Sequence, residues 1–194
     1  MNCHIDDSRS KRVVFVANCI LNANNKVLEF ARYPGMFFEV LETINNYGLG
    51  IIQMPCPEVL YMGNQRWWNS RNLYDNVGYR RICREIAKQM IDYMENYKKV
   101  NYDVVALLTC DGSPSCGITI SSYCEEWGGR PKEIPRKLVE KPGIFMEELM
   151  SESKERQVEL PPIFGLAMDN RDIPNEKILE DFNKFMQEKF GEKQ

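Results

Sequence analysis

The chain has 194 residues, 43% of them hydrophobic and 11% aromatic, which at roughly 150 residues per domain fits one compact domain and excludes a mainly disordered chain. Lys and Arg number 25 against 28 Asp and Glu, a net charge of -3, so the basic footprint of a polynucleotide binder is missing. No apolar run approaches the roughly 20 residues that cross a bilayer, so no membrane attachment is expected. Residues 1–12 read as a polar, solvated tail on a cytoplasmic protein, and residues 13–194 as a single domain.

The first element is a buried strand over residues 13–18, rich in Val and Phe, which gives way to the polar stretch 22–26. Between Pro34 and Gly48, apolar side chains recur at three- and four-residue steps (Phe37, Val40, Leu41, Ile44, Tyr47), predicting an amphipathic helix over 34–47. Residues 50–54 form the next apolar run. It ends at Pro55-Cys56-Pro57, where two prolines forbid continuation of a central ladder.

The longest helical stripe follows over residues 78–98, through Ile82, Ile86, Met90, Tyr93, Met94 and Tyr97. Its Tyr and Met residues read as core rather than as cofactor contacts. A third strand over 104–108 runs into the turn-forming loop Thr109-Cys110-Asp111-Gly112-Ser113-Pro114-Ser115-Cys116-Gly117. A shorter helix near 143–150 precedes a solvated stretch over 151–159, then a weak fourth strand over 163–167 and a closing helix through Ile178, Leu179, Phe182, Phe185 and Met186. This alternation predicts an α/β fold: a mostly parallel sheet of about four strands with helices on both faces.

Cysteine and histidine usage narrows the chemistry. Seven cysteines, an odd number spread along the chain, do not suggest a disulfide framework. The one histidine, His4, lies in the tail, which removes the base from Cys-His and Ser-His-Asp mechanisms and the ligands from a multi-histidine zinc site. Free cysteine is often only a small buried hydrophobe, and Cys83 in its helix and Cys3 in the tail read that way. Cys19, Cys56 and the pair Cys110 and Cys116 differ, because they follow three successive strands. In parallel sheets ligands bind beyond the carboxyl ends of the strands, so these thiols are expected to share a site suited to zinc or iron-sulfur ligation.

Three segments, Cys19-Ile-Leu, Cys56-Pro-Glu58 and Ser113-Pro-Ser-Cys-Gly117, resemble the ordered signatures of the DUF523 family, which includes thiouracil desulfurase. The likeness extends through residues 143–149. It implies a [4Fe-4S] cluster held by Cys19, Cys56 and Cys116, with one iron lacking a protein ligand, and working roles for Glu58 and Ser113 on a small thiolated molecule such as a thiouracil. The chain departs from the family after Cys-Pro-Glu, where a small glycine-rich stretch is replaced by the bulkier residues 59–68, including Arg66, Trp67 and Trp68.

The residues also permit plainer readings. Glu58 can favour the start of a helix after Pro57, Ser113 can close a local turn, and the Trp pair can be packing or surface. Cys110 and Cys124 flank the third signature and read as packing, as sulfur acceptors or as alternative ligands. Gly117 reads as a point of close backbone approach to a cluster. Two functions follow: an iron-sulfur desulfidase with Glu58 as general acid or base, or a non-catalytic protein that carries a cysteine-ligated cluster or binds zinc structurally. A fourth cysteine at the site is the feature that separates them.

Overall fold

The computed structural model describes residues 7–125 and 136–191; Cys3, His4 and the first half of the predicted tail lie outside them. Among the described residues the strands are β1 (Arg12–Ala17), β2 (Gly50–Met54), β3 (Asp103–Cys110), the short antiparallel pair β4 (Ser121–Tyr123) and β5 (Lys137–Val139), and β6 (Ile163–Leu166). The helices are α1 (Asn18–Leu21), α2 (Phe38–Asn46), α3 (Pro57–Met62), α4 (Arg71–Tyr74), α5 (Val77–Lys99), α6 (Ile144–Glu155) and α7 (Asn175–Phe190).

The main sheet is wholly parallel, in the order β2-β1-β3-β6. Each crossover must cover a face of the sheet, and the helices do so in two layers, α2 with α7 and α5 with α6. This is the predicted α/β class. β1 lies between two neighbours and buries both of its faces, with Val14, Phe15 and Val16 fully enclosed, which is why it reads as a continuous apolar run. The chain passes from β1 outward to β2, then back over β1 to β3. The order therefore reverses between β1 and β3, and the crevice where ligands bind in open parallel sheets falls beyond those two strands.

α5 begins at Asn76, whose side chain accepts a hydrogen bond from the Tyr79 amide, and ends with Lys98 and Lys99 in its last turn, where the helix dipole favours cations. Its buried stripe runs through Tyr79, Cys83, Ile86, Met90 and Met94, whereas Tyr93, expected in the core, is half exposed. Two helix ends also differ from expectation. α2 starts four residues later than predicted because the preceding segment is tied to the first loop, by the Phe37 amide to the Ile20 carbonyl at 2.9 Å and the Ala23 amide to the Gly35 carbonyl at 2.6 Å. α6 continues into the stretch expected to be solvated. There Glu152 is buried, and Arg156 just beyond the helix pairs with Asp92 and Glu95 of α5. No helix among the described residues is long and apolar enough to cross a membrane.

The start of α6 carries the loop that follows β3. The amides of Ile144 and Phe145 donate to the carbonyls of Pro114 and Ser115 at 3.0 Å, and the Gly143 amide donates to the Gly117 carbonyl at 2.8 Å. A Cβ on Gly143 would lie 2.3 Å from the Ser115 carbonyl oxygen, so only glycine permits this approach. Gly143→Ala is expected to destabilise the protein by about 1–3 kcal/mol through overpacking. Gly35→Ala, where a Cβ would meet nothing within 4 Å, should stay within about 0.5 kcal/mol of the parent; urea unfolding of both variants checks the contrast.

Candidate functional site

Three chain segments meet beyond the sheet's carboxyl edge. Cys19 lies in the single turn α1, directly after β1, and its carbonyl accepts a hydrogen bond from the Tyr33 hydroxyl at 2.8 Å. The Asn22 side chain caps the next turn by accepting from the Asn24 amide, and that turn delivers Lys26. Cys56 stands immediately before α3, with Pro57 as the first helical residue and Glu58 in the first turn. Pro57 has no amide to leave unsatisfied there, so the two prolines that end β2 also begin the helix. Cys110 closes β3, and the loop beyond it contributes Ser113 and Cys116.

Cys19, Cys56, Cys110, Cys116, Glu58 and Ser113 all line one cavity. The five residues singled out in the sequence are thus brought together, and Cys110 is with them. Cys83 belongs to the core of α5. Cys124 is buried elsewhere, with its carbonyl accepting from the Asn72 side chain at 2.6 Å. Trp68 lines the cavity, whereas Trp67 is 54% exposed beside a shallow surface depression with Leu28.

Glu58 sits at a helix start, as its plainer reading required, but its carboxylate is also engaged across the cavity wall. Arg66 Nε donates to Oε2 at 3.2 Å and the Tyr74 hydroxyl donates to the same oxygen at 3.3 Å; the Ser113 hydroxyl lies 3.5 Å from Oε1. Arg66 also donates to the Asn25 carbonyl at 2.7 Å and the Gly63 carbonyl at 3.1 Å, which ties the loop after β1 to α3. Burial opposes the charge of Arg66, and Glu58 outweighs it, so the guanidinium is held more firmly protonated than usual. Ser113 keeps its local role too: its Oγ accepts from the amides of Ser115 and Cys116 at 3.2 and 3.1 Å.

On the opposite wall Lys26 forms a buried ion pair with Asp169, and its Nζ lies 3.2 Å from Cys110 Sγ. Burial would drive the Lys26 proton off, but Asp169, by its charge and its hydrogen bond, together with Cys110 and Cys19 offsets it and holds the ammonium. Asp111 is a buttress. Its Oδ1 accepts from the amides of Ile118 and Thr119 at 2.7 and 3.0 Å and fixes the loop that carries Cys116. Gly117 is necessary for packing inside that loop, since a Cβ there would lie 2.1 Å from the Ile120 carbonyl oxygen.

The thiols differ in character. Burial pushes Cys56 up to about 12, and the charge of Glu58 adds to the effect. Burial likewise pushes Cys116 well up, reinforced by Cys56 and Cys19. Cys110 and Cys19 influence each other in opposite directions: Cys110 lowers Cys19 against its burial, with help from Lys26, while Cys19 and burial raise Cys110.

Among the described residues no group of three or more His, Cys, Asp or Glu is close enough to grip a metal ion. The thiols line a cavity instead. A zinc ion draws its sulfur ligands to about 2.3 Å, whereas a polynuclear cluster fills the space between thiolates. The donor set of Cys19, Cys56 and Cys116, three soft sulfurs from three separate loops lining one cavity, fits such a cluster.

Fold and site together define a parallel α/β protein with a thiol-lined cavity at the switch point of its sheet. No family model matches the sequence, and no solved structure matches it. The uncharacterised protein MJ0003 of Methanocaldococcus jannaschii is 32% identical over 179 residues, which cover 92% of this chain and 94% of that protein. The chain belongs to the same family as MJ0003.

The Arg66–Glu58 pair is expected to behave as a buried unit, with side chains only 3% and 12% exposed. Arg66→Leu should destabilise by about 3–5 kcal/mol by leaving the carboxylate unpaired, and Arg66→Leu combined with Glu58→Gln should recover part of that loss. Denaturant unfolding of the two single variants and the double variant measures the coupling; simple additivity would show that the pair does not act as a unit.

Proposed function

We propose that the protein is a [4Fe-4S]-dependent desulfidase of the DUF523 type, acting in the reducing cytoplasm on a small thiolated heterocycle such as a thiouracil. The observation that carries this reading is the meeting of Cys19, Cys56 and Cys116 with Glu58 and Ser113 around one cavity, from three distant signatures. Cys19, Cys56 and Cys116 are the residues that would hold the cluster. When bound, the group supplies an iron without a protein ligand, a Lewis acid with affinity for the soft sulfur of a thiocarbonyl.

The protein's own residues supply the rest. Desulfuration adds water to the thiocarbonyl carbon, breaks the C–S bond and releases sulfide, with no net electron transfer. Water must lose a proton and a ring nitrogen must gain one. Glu58 is the group for that work: Arg66 and Tyr74 hold Oε2, while Oε1 faces the Ser113 hydroxyl as the proton-handling oxygen. Trp68 and Phe30 line the same cavity and offer aromatic faces to a planar ring. The Lys26 ammonium, fixed by Asp169, stabilises negative charge on the opposite side.

A second reading has one specific observation in its favour, because Cys110 lines the cavity beside Cys19. As a fourth ligand it would close the coordination sphere and make the protein a cluster carrier. The Lys26–Cys110 contact favours the first reading, since it engages this sulfur with a wall residue instead.

Anaerobically loaded protein is expected to convert a thiouracil or thionucleoside into its oxygen analogue with label from heavy-oxygen water. Alanine at Cys19, Cys56 or Cys116 should abolish the absorbance near about 400 nm expected of a thiolate-bound cluster, while Cys83→Ala keeps it. Glu58→Gln should keep the absorbance and lose turnover by a factor of about 100 to 10,000. Loss of the chromophore on Cys110→Ala, together with no sulfide release by the parent, would decide for the carrier.

A further inference from the structure

The desulfidase reading gives Cys110 no role, yet it is fully buried against a proposed cluster ligand. Its place follows from topology. β1 and β3 are adjacent parallel strands, in register to Val16 opposite Leu108. Cys110 is the last residue of β3, and Cys19 lies in the single turn α1 that directly follows β1, so the two thiols come from neighbouring strand ends. Both thiols line the same cavity, and each shifts the other's protonation. Exposure differs between the partners in a useful way: Cys19 is partly accessible from the cavity, and Cys110 is not accessible at all.

We infer that Cys19 and Cys110 form a redox modification site, in which a peroxide attacks Cys19 and Cys110 resolves the product as a disulfide. The oxidant is hydrogen peroxide, and the steps balance. The Cys19 sulfur attacks the peroxide, the O–O bond breaks, and sulfenic acid forms with release of water. The Cys110 thiol then attacks that sulfur, its proton leaves with the hydroxyl as a second water, and the S–S bond closes. Two thiols and one hydrogen peroxide give one disulfide and two waters, and the two electrons from sulfur reduce the peroxide.

Pairing with Cys110 stops Cys19 at a reversible state rather than at the irreversible sulfinic and sulfonic acids. It also withdraws one of three proposed ligands, so the oxidised chain cannot hold a cluster until a thiol reductant reopens it. This consequence rests on the proposed function; the disulfide itself does not.

The test uses full-length protein freed of metal by chelation, treated with a small excess of hydrogen peroxide, then alkylated and digested. Expected are a loss of two hydrogens in intact mass and one cross-linked peptide pair containing Cys19 and Cys110, both reversed by dithiothreitol. In Cys110→Ser, Cys19 should instead be recovered as sulfinic or sulfonic acid. Parent protein in which Cys19 over-oxidises without a cross-link, or in which Cys56 and Cys116 are the joined pair, overturns the inference. Reconstitution with ferrous iron and sulfide gives the second readout: the oxidised protein should take up no iron, and the re-reduced protein should take it up. A Cys19–Cys110 disulfide whose formation leaves iron uptake unchanged would keep the modification site and remove Cys19 from the proposed ligands.

Discussion

Everything at the cavity depends on the docking of residues 113–117 onto the first turn of α6. A helix start leaves amides without partners inside the helix, and here the carbonyls of Pro114 and Ser115 take them. The loop gains as much from the contact as the helix, because a turn-rich segment with few apolar side chains has little else to hold it still. Asp111 secures the other end of the loop by accepting two amides, and Tyr79 of α5 donates to Ser115 Oγ at 2.7 Å. Cys116 and Ser113 are therefore presented by a braced segment rather than a free one.

The alternation of strands and helices was legible because β1, β2 and β3 are short apolar runs closed by turn formers or prolines, the pattern of strands in a parallel sheet. The convergence of Cys19, Cys56 and Cys116 was legible for the same reason, since each follows a strand end and the topology does the rest. The partners of the site residues were not legible. Arg66 was one member of a bulky stretch, and nothing local distinguishes an arginine that reaches back to Glu58 from one in solvent. Lys26 and Asp169 are 143 positions apart, and their pairing exists only once β1 and β6 lie in one sheet. Asp111 was read as a turn former, and its work on two loop amides depends on the path of the chain beyond it. The four-residue helix α4 was missed because so short a segment carries too little periodicity to register, and α3 was visible only as a possible helix start after Pro57.

Electrostatically the cavity is built from matched pairs. Arg66 answers Glu58 on one wall and Lys26 answers Asp169 on the other, all four with side chains almost wholly enclosed. Removing any one member would strand a buried charge. The burial that makes these pairs rigid also keeps Cys56 and Cys116 as neutral thiols. Ionising them requires a positive centre between the sulfurs, so occupancy of the cavity and the charge state of its thiols change together.

The descent of the site from three separate parallel strands bears on how the protein matures. Parallel pairing is non-local by construction, and contacts between distant segments form late because the intervening chain must first be ordered. Until β3 has seated beside β1, the thiols of the three loops are scattered along an open chain. A nascent polypeptide therefore offers metal only isolated cysteines, with affinities that single side chains can provide. With the proposed cluster, binding to the closed sheet would add to native stability by mass action. On that reading folding is the gatekeeper of cluster entry, and a lesion that slows strand docking would look, in a cell, like a failure of cofactor supply.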